Sequence, residues 1–262
     1  MELRDDTRPL TARSVVASTL LGVRPARLPG RSLVASASLF GIAEGTVRTA
    51  LSRMVAAGEL VVDDGAYELA GPFLARRERQ DESRAGVGGE WSGEWELSVV
   101  EIERRSPADR SQLRSSMRAL RRAELREGVW LRPANLAADR LPDARALAAT
   151  QCRTFTARPD EDARDLAASL WDLPGWAAEA RHLATALEEH EPELADPAAL
   201  APGFVLSARA LRHFQADPLL PPALLPTDWP GARLRATYEH YDARFKASWS
   251  DHFRDRASMR RS

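Results

Sequence analysis

Cysteine and lysine are almost absent: each occurs once in 262 residues, at Cys152 and Lys246. One cysteine excludes an internal disulfide and points to a reducing compartment. The shift from lysine to arginine is what a GC-rich coding sequence produces, so arginine by itself is weak evidence of phosphate binding. Long apolar runs are also missing. No stretch approaches the roughly 18 apolar residues of a membrane helix, and the opening MELRDDTRPL carries acids where a signal peptide needs an apolar segment. A cytoplasmic protein without a membrane partner is expected. Three catalytic signatures are absent: GxxxxGK[ST], GxSxG and HExxH. The five histidines, His182, His190, His213, His240 and His252, are scattered with none at ligand spacing. No catalytic residue, metal site or cofactor is therefore assigned.

Charge of one sign is lacking overall, since 37 basic and 38 acidic residues leave a formal charge of -1. Any nucleic-acid footprint must be local. Thr11 to Glu59 is such a place, with six arginines against Glu44 and Glu59, a local charge of +4. Thr11 can cap a helix carrying Ala12, Val15, Val16, Thr19 and Leu20 at helical spacing. Arg24 to Gly30 has two prolines and a glycine and reads as a loop. From Leu33 to Gly58 two helical stretches flank a tight turn at Phe40-Gly41-Ile42. The second stretch, Ala43 to Ala57, places Val47, Ala50, Leu51, Met54 and Val55 on one face. Thr46, Arg48, Thr49, Ser52 and Arg53 are left on the other, and these residue types reach base edges and phosphates. Such a pair is equally a plain helical hairpin. The β-hairpin signal that follows, Leu60 to Leu69 around Asp64-Gly65, completes the order of a winged helix. Asp63 and Asp64 at the wing tip repel phosphate, so the recognition helix must carry more of the contact. The expected DNA-binding residues are Thr46, Arg48, Thr49, Ser52 and Arg53, with Arg13 and Arg31.

Phe73 to Gly89 reads as a short charged helix and a linker, with Arg76, Arg77 and Arg79 on a solvated face rather than on DNA. Trp95 to Ile102 reads as a strand. Pro107 opens a helix expected to run on to Arg126, burying Leu113, Met117 and Leu120. Arg110, Arg114, Arg118, Arg121 and Arg122 form its basic face, which is solvated or takes a phosphorylated ligand or DNA. Val129 to Arg132 and Cys152 to Ala157 are two more strands, with a helix at Leu141 to Ala148 between them. Three strands and two helices suggest a ferredoxin-like α+β sandwich. The rest is helical: Asp160 to Ala168, Pro174 to Glu189, Phe204 to Phe214 and an aromatic-striped helix from Arg233 to Phe253. A loop at 192–202 and a proline-rich passage at Asp217 to Gly231 interrupt it, and a loose basic tail from Arg254 is expected. The expected division is 1–75 winged helix, 76–90 linker, 91–160 ferredoxin-like domain and 161–262 helical domain, an α+β multidomain fold.

Several blocks together resemble the PaaX family of phenylacetic acid degradation repressors. They are Thr11-Ala12-Arg13-Ser14, the run from Leu39 to Val55, Trp95, Leu113-Arg114 and Gly128-Val129-Trp130-Leu131-Arg132-Pro133. Further on come Trp171-Asp172-Leu173, Asp217-Pro218-Leu219-Leu220-Pro221 and Leu224 to Gly231. The sequence departs from the family where Arg121-Arg122-Ala123-Glu124 replaces a glycine-rich turn, and at Ala180-Arg181, where a tyrosine is expected. The resemblance implies a winged helix, a ferredoxin-like middle domain similar to CRISPR-associated endoribonucleases and a helical C-terminal domain. It also implies a homodimeric repressor on a double-stranded DNA operator, released by an acyl- or aryl-coenzyme A thioester such as phenylacetyl-coenzyme A. Candidates for effector contact are Arg114, Arg118, Trp171 and Trp229. The alternative is an enzyme, a metal-dependent nuclease using Glu101 and Glu103 or a thioester hydrolase. A pair of acids at a strand end is more often solvated, and the sequence offers no nucleophile. A third reading, a pure protein-interaction module, requires that no DNA sequence be bound specifically.

Overall fold

A computed structural model describes residues 10–86, 88–102 and 104–259. The charged N-terminal residues before Leu10, and Glu103, lie outside the described residues. The chain divides into two compact units. One takes Met1–Asp81, Thr185–Leu211 and Thr237–Ser262, the other Glu82–Ala184 and Arg212–Ala236.

In the first unit, α1 (Ala12–Gly22) begins with a capping box. The Thr11 hydroxyl accepts from the Ser14 N–H, and Ser14 accepts from the Thr11 N–H. Its apolar positions Val15, Val16, Leu20 and Leu21 are buried with Leu33 and Ala37 of α2 (Gly30–Ser38) and Val47, Leu51 and Met54 of α3 (Glu44–Ala56). Gly41 takes φ +68° in the turn between α2 and α3. Its N–H donates to Ser38 O and that of Ile42 to Ala37 O, so two orphan carbonyls of α2 are satisfied. The same pair of bonds ends α3 at Gly58, also at φ +68°: Gly58 N–H to Val55 O and Glu59 N–H to Met54 O.

The hairpin follows as β2 (Leu60–Asp63) and β3 (Ala66–Leu69), joined by Asp64 and Gly65 at φ +47° and +70°. Two positive φ values fit the tight turn whose twist matches the strands. The stretch read as a loop contains a third strand, β1 (Arg27–Pro29), antiparallel to β3 in the order β1-β3-β2. Three residues ending on a proline have no period of their own, and only pairing with β3 makes them a strand. The helical part of this unit packs aromatics. Phe40 of the turn meets Phe204 edge-on at 5.0 Å, and Phe204 stacks on Trp249 at 5.9 Å. The Tyr241 hydroxyl lies 3.0 Å from His190 Nδ1.

In the second unit, β4 (Trp95–Val100), α5 (Pro107–Ala119), β5 (Ala123–Arg126), β6 (Val129–Pro133), α6 (Pro142–Gln151) and β7 (Cys152–Ala157) form a sheet of order β5-β6-β4-β7, antiparallel throughout. This is the ferredoxin-like arrangement with four strands instead of three. The expected helix to Arg126 stops at Ala119, because Arg121 adopts φ +58° and Arg122 N–H bonds back to Met117 O. That left-handed stop normally uses glycine, so an arginine there hid it. β5 is an exposed edge strand with a register shift and little alternation. Leu113, Met117 and Leu120 are buried on one sheet face with Trp130, Ala148 and Cys152. The opposite face buries Trp95, Val129 and Leu131 against Leu166 and Ala167 of α7 (Ala163–Leu170), Leu173, Leu220 and Leu224.

α4 (Pro72–Ala85), α8 (Leu173–His190), α9 (Leu200–Ala216) and α10 (Gly231–Met259) complete the chain. The expected loop at 192–202 holds two short 3-10 turns and the start of α9. α10 continues to Met259, through much of the expected loose tail. No helix among the described residues is long and apolar enough to cross a membrane.

Candidate nucleic-acid interface

Helical periodicity sets the site. Val47, Leu51 and Met54 are buried, so Thr46, Arg48, Thr49, Ser52 and Arg53 of α3 are exposed. Along the centre of that face run Gly45, Thr49, Ser52 and Ala56, all small. Arg48 and Arg53 stand on its two flanks, roughly 140° apart at 100° per residue. A helix with a low front and long cations at its sides is shaped to enter a groove and reach outward. The two hydroxyls are turned back on the helix, Thr49 donating to Gly45 O at 2.9 Å and Ser52 to Arg48 O at 3.1 Å. Their lone pairs remain available as acceptors. Arg48 Nε donates to Glu44 Oε1 at 2.7 Å, one turn back, which holds its guanidinium against the flank. Arg53 makes no ion pair among the described residues.

On the Arg53 flank a groove of about 640 Å³ opens between α3 and the start of α1. Thr46, Thr49 and Arg53 line one wall, Thr11, Ala12 and Arg13 the other, with Met54 and Glu59 also lining it. Four of the seven expected residues, Arg13, Thr46, Thr49 and Arg53, thus come together there. Arg48 and Ser52 share the α3 face but not the groove. Arg31, in the first turn of α2, is exposed and outside it. Arg13 Nε donates to Glu59 Oε2 at 2.9 Å and its NH2 to Oε1. This bond, with the attraction of the guanidinium, pushes the Glu59 carboxyl below the usual carboxylate range. Glu59 and Phe73, whose ring faces Arg13 at 5.6 Å, were not found from the sequence. Glu59 lies 46 positions from Arg13, and no local signal links them. The wing acids are altered in meaning by β1: Arg27 NH2 donates to the Asp63 carboxylate at 2.9 Å and to its carbonyl at 3.1 Å. Asp63 is therefore not a bare negative charge.

The effector candidates are not brought together. Arg114 and Arg118 lie exposed on α5, Arg114 being 3.7 Å from Glu124. Trp171 and Trp229 pack against the cluster on the opposite sheet face, and Trp229 stacks on Trp176 at 4.5 Å. Arg121 and Arg122, expected on the basic face, are buried. Arg121 donates to Ser83 Oγ and to Gln215 O, and Arg122 to Glu96 and Ser98. Arg132, also buried, donates to Leu120 O and to Asn135 Oδ1, which ties the end of α5 to the sheet. Burial pulls the pKa of Arg121 down to about 10 and that of Arg132 to about 9. Glu101 pairs with Arg153 at 3.0 Å, so its carboxylate is already engaged by a cation. Cys152 is buried, and desolvation raises its thiol pKa, which disfavours the nucleophilic thiolate.

Comparison with known proteins accords with this architecture. Three family models match in succession: PaaX-like protein over residues 11–72, PaaX protein central Cas2-like domain over 88–168, and PaaX-like protein C-terminal domain over 165–255. Among solved structures, the chain is similar to the uncharacterized protein Rv0674 from Mycobacterium tuberculosis. The two share 42% identity with a TM-score of 0.69, over 92% of this chain and 98% of that one. No curated protein matches. With all three domains present in order, the protein belongs to the PaaX family, whose membership implies a regulator of phenylacetic acid catabolism.

Proposed function

We propose that the protein is a homodimeric, sequence-specific DNA-binding repressor, released by an acyl- or aryl-coenzyme A thioester of the phenylacetyl type. The observation that carries the DNA-binding part is the exposed face of α3, small at its centre and flanked by Arg48 and Arg53. In this reading α3 enters the major groove of a double-stranded operator. Arg48, oriented by Glu44, reads a base, Thr49 and Ser52 offer acceptors, and Thr46, Arg53, Arg13 and Arg31 meet the backbone. We assign 1–75 to this reading head, 76–90 to the linker, 91–160 to the middle domain and 161–262 to the helical domain. The family relation, not the geometry, carries the effector. Release requires that the thioester bind the DNA-free state more tightly than the DNA-bound one.

The test begins with recovery of bound genomic DNA and a titration on the recovered operator and a scrambled duplex. Arg48→Ala relaxes specificity at one base pair by about 1–3 kcal/mol. Arg53→Ala weakens all duplexes evenly and lowers the salt slope by about one. Unchanged binding by the double variant would sink the assignment. Thermal-shift titration with aryl-coenzyme A thioesters tests release, and no stabilisation by any of them rejects that part alone. Sedimentation at micromolar concentration checks the dimer.

A further inference from the structure

The groove beside α3 holds an arrangement that base reading does not require. Arg13 is an exposed arginine fixed from behind. Its side chain is 59% exposed, whereas the Glu59 carboxylate that grips it through Nε and NH2 is only 14% exposed. The Phe73 ring supports the same guanidinium at 5.6 Å and that of Arg76 at 5.9 Å. Arg13 and Arg76 repel each other there, which contributes to the lowering of the Arg76 pKa after burial and Arg79. Across the groove stands Arg53. Two arginines, Arg13 and Arg53, thus line one groove with a single carboxylate, Glu59, which Arg13 engages, beside a helix face shaped for a nucleic-acid groove. A guanidinium that gives Nε and one NH2 hydrogen to a carboxylate keeps its other edge free. That edge forks onto two oxygens of a second anion. A long side chain already held in place loses less freedom when it binds.

We infer that Glu59 and Phe73 are positioning residues, which preset Arg13 to grip one strand of the operator's phosphodiester backbone seated between α1 and α3, with Arg53 on the facing wall. The inference rests on the DNA-binding reading above. The excess of cations favours a phosphate strand over a neutral or basic peptide as the occupant. The regular spacing of phosphates along a duplex also suits arginines placed on both sides of a groove.

The two physical effects at Glu59 have opposite signs. Removing a carboxylate beside a polyanion should by itself tighten binding. Removing the support of Arg13 should loosen it. The experiment is fluorescence anisotropy of the full chain on its operator across a potassium chloride series, with thermal scans to verify folding. Glu59→Gln is expected to lower affinity about three- to tenfold while leaving most of the salt slope, because Arg13 keeps its charge. Arg13→Ala should reduce the slope by about 0.9, one phosphate contact, and Glu59→Gln should add little affinity loss in the Arg13→Ala background. Arg13→Lys, which keeps charge without the fork, should restore the slope but not the affinity. Phe73→Leu, milder for folding, should weaken binding less than Glu59→Gln. Binding by Glu59→Gln as tight as wild type or tighter, or an unchanged slope in Arg13→Ala, overturns the inference while leaving DNA binding intact. Failure of the wild-type protein to bind any recovered duplex rejects the underlying reading instead.

Discussion

Glu96 and Arg122 allow the energetics of the middle domain to be tested by a double-mutant cycle. The Arg122 side chain is 3% exposed and that of Glu96 19%, and NH2 meets Oε2 at 2.7 Å. Arg122 NH1 donates to Ser98 Oγ at 2.5 Å, which shares a hydrogen with Thr154 at 2.8 Å. Arg122 Nε has no partner among the described residues, so the carboxylate carries most of the compensation for a desolvated cation. Arg145, 3.7 Å from Glu96 and 24% exposed, is a weaker second partner for the acid but none for Arg122. Glu96→Gln leaves a buried cation facing an amide, and breaking such a pair from one side costs about 3–5 kcal/mol. Arg122→Met leaves Glu96 near the surface with Arg145, and about 1–2 kcal/mol is expected because that carboxylate keeps a cation and partial solvation. The Glu96→Gln, Arg122→Met double variant removes both charges together and should fall within about 1 kcal/mol of wild type. The single costs sum to about 4–7 kcal/mol against about 0–1 for the double variant, so the coupling is about 3–7 kcal/mol, well beyond the few tenths expected of independent sites. Urea unfolding followed by tryptophan fluorescence, to which Trp95 and Trp130 in the strands of this sheet contribute, measures it. Additive single effects, or a Glu96→Gln cost below about 1 kcal/mol, would refute the claim that this pair is desolvated and mutually dependent.

Other outcomes follow from local geometry. Thr11→Ala removes the capping box of α1 and should cost about 1 kcal/mol, read as a lower urea midpoint for the first unit; no change would mean that the cap is solvent-replaced. Gly58→Ala meets no atom within 4 Å of the new Cβ but must hold φ +68°. Its cost should be the left-handed penalty alone, about 1–2 kcal/mol, and a larger loss would point to a contact not seen here. His213 stacks on Trp176 at 4.4 Å, and burial lowers its pKa from 6.5 despite the opposing charges of Glu179 and Asp217. The unfolded chain then binds the proton more readily, so stability present above pH 6.5 is lost as the pH falls through the lower folded-state value. His213→Gln should flatten that acid-side loss in urea titrations, and an unaltered pH profile would exclude His213 as its source.

Short-range chemistry made much of the fold readable. The Thr11 cap, the Val47-Leu51-Met54 stripe, the Gly41 and Gly58 stops and the Asp64-Gly65 turn each lie within a few residues of what they determine. The exposed face of α3 follows from the same periodicity, so Thr46, Arg48, Thr49, Ser52 and Arg53 could be named in advance. β1 and β5 could not, since a short edge strand takes its hydrogen bonds from a neighbour rather than from its own pattern. Nor could Arg121 and Arg122 be placed. Nothing nearby distinguishes an arginine in water from one whose partners, Ser83, Gln215 and Glu96, arrive from distant segments. The pairing of Arg13 with Glu59 belongs to the same class. Sequence by itself determined which residues the elements expose, because helix and turn energetics are local. Tertiary structure alone decided which charges meet and which are buried, because only packing brings residues far apart in the chain within reach and removes the water between them.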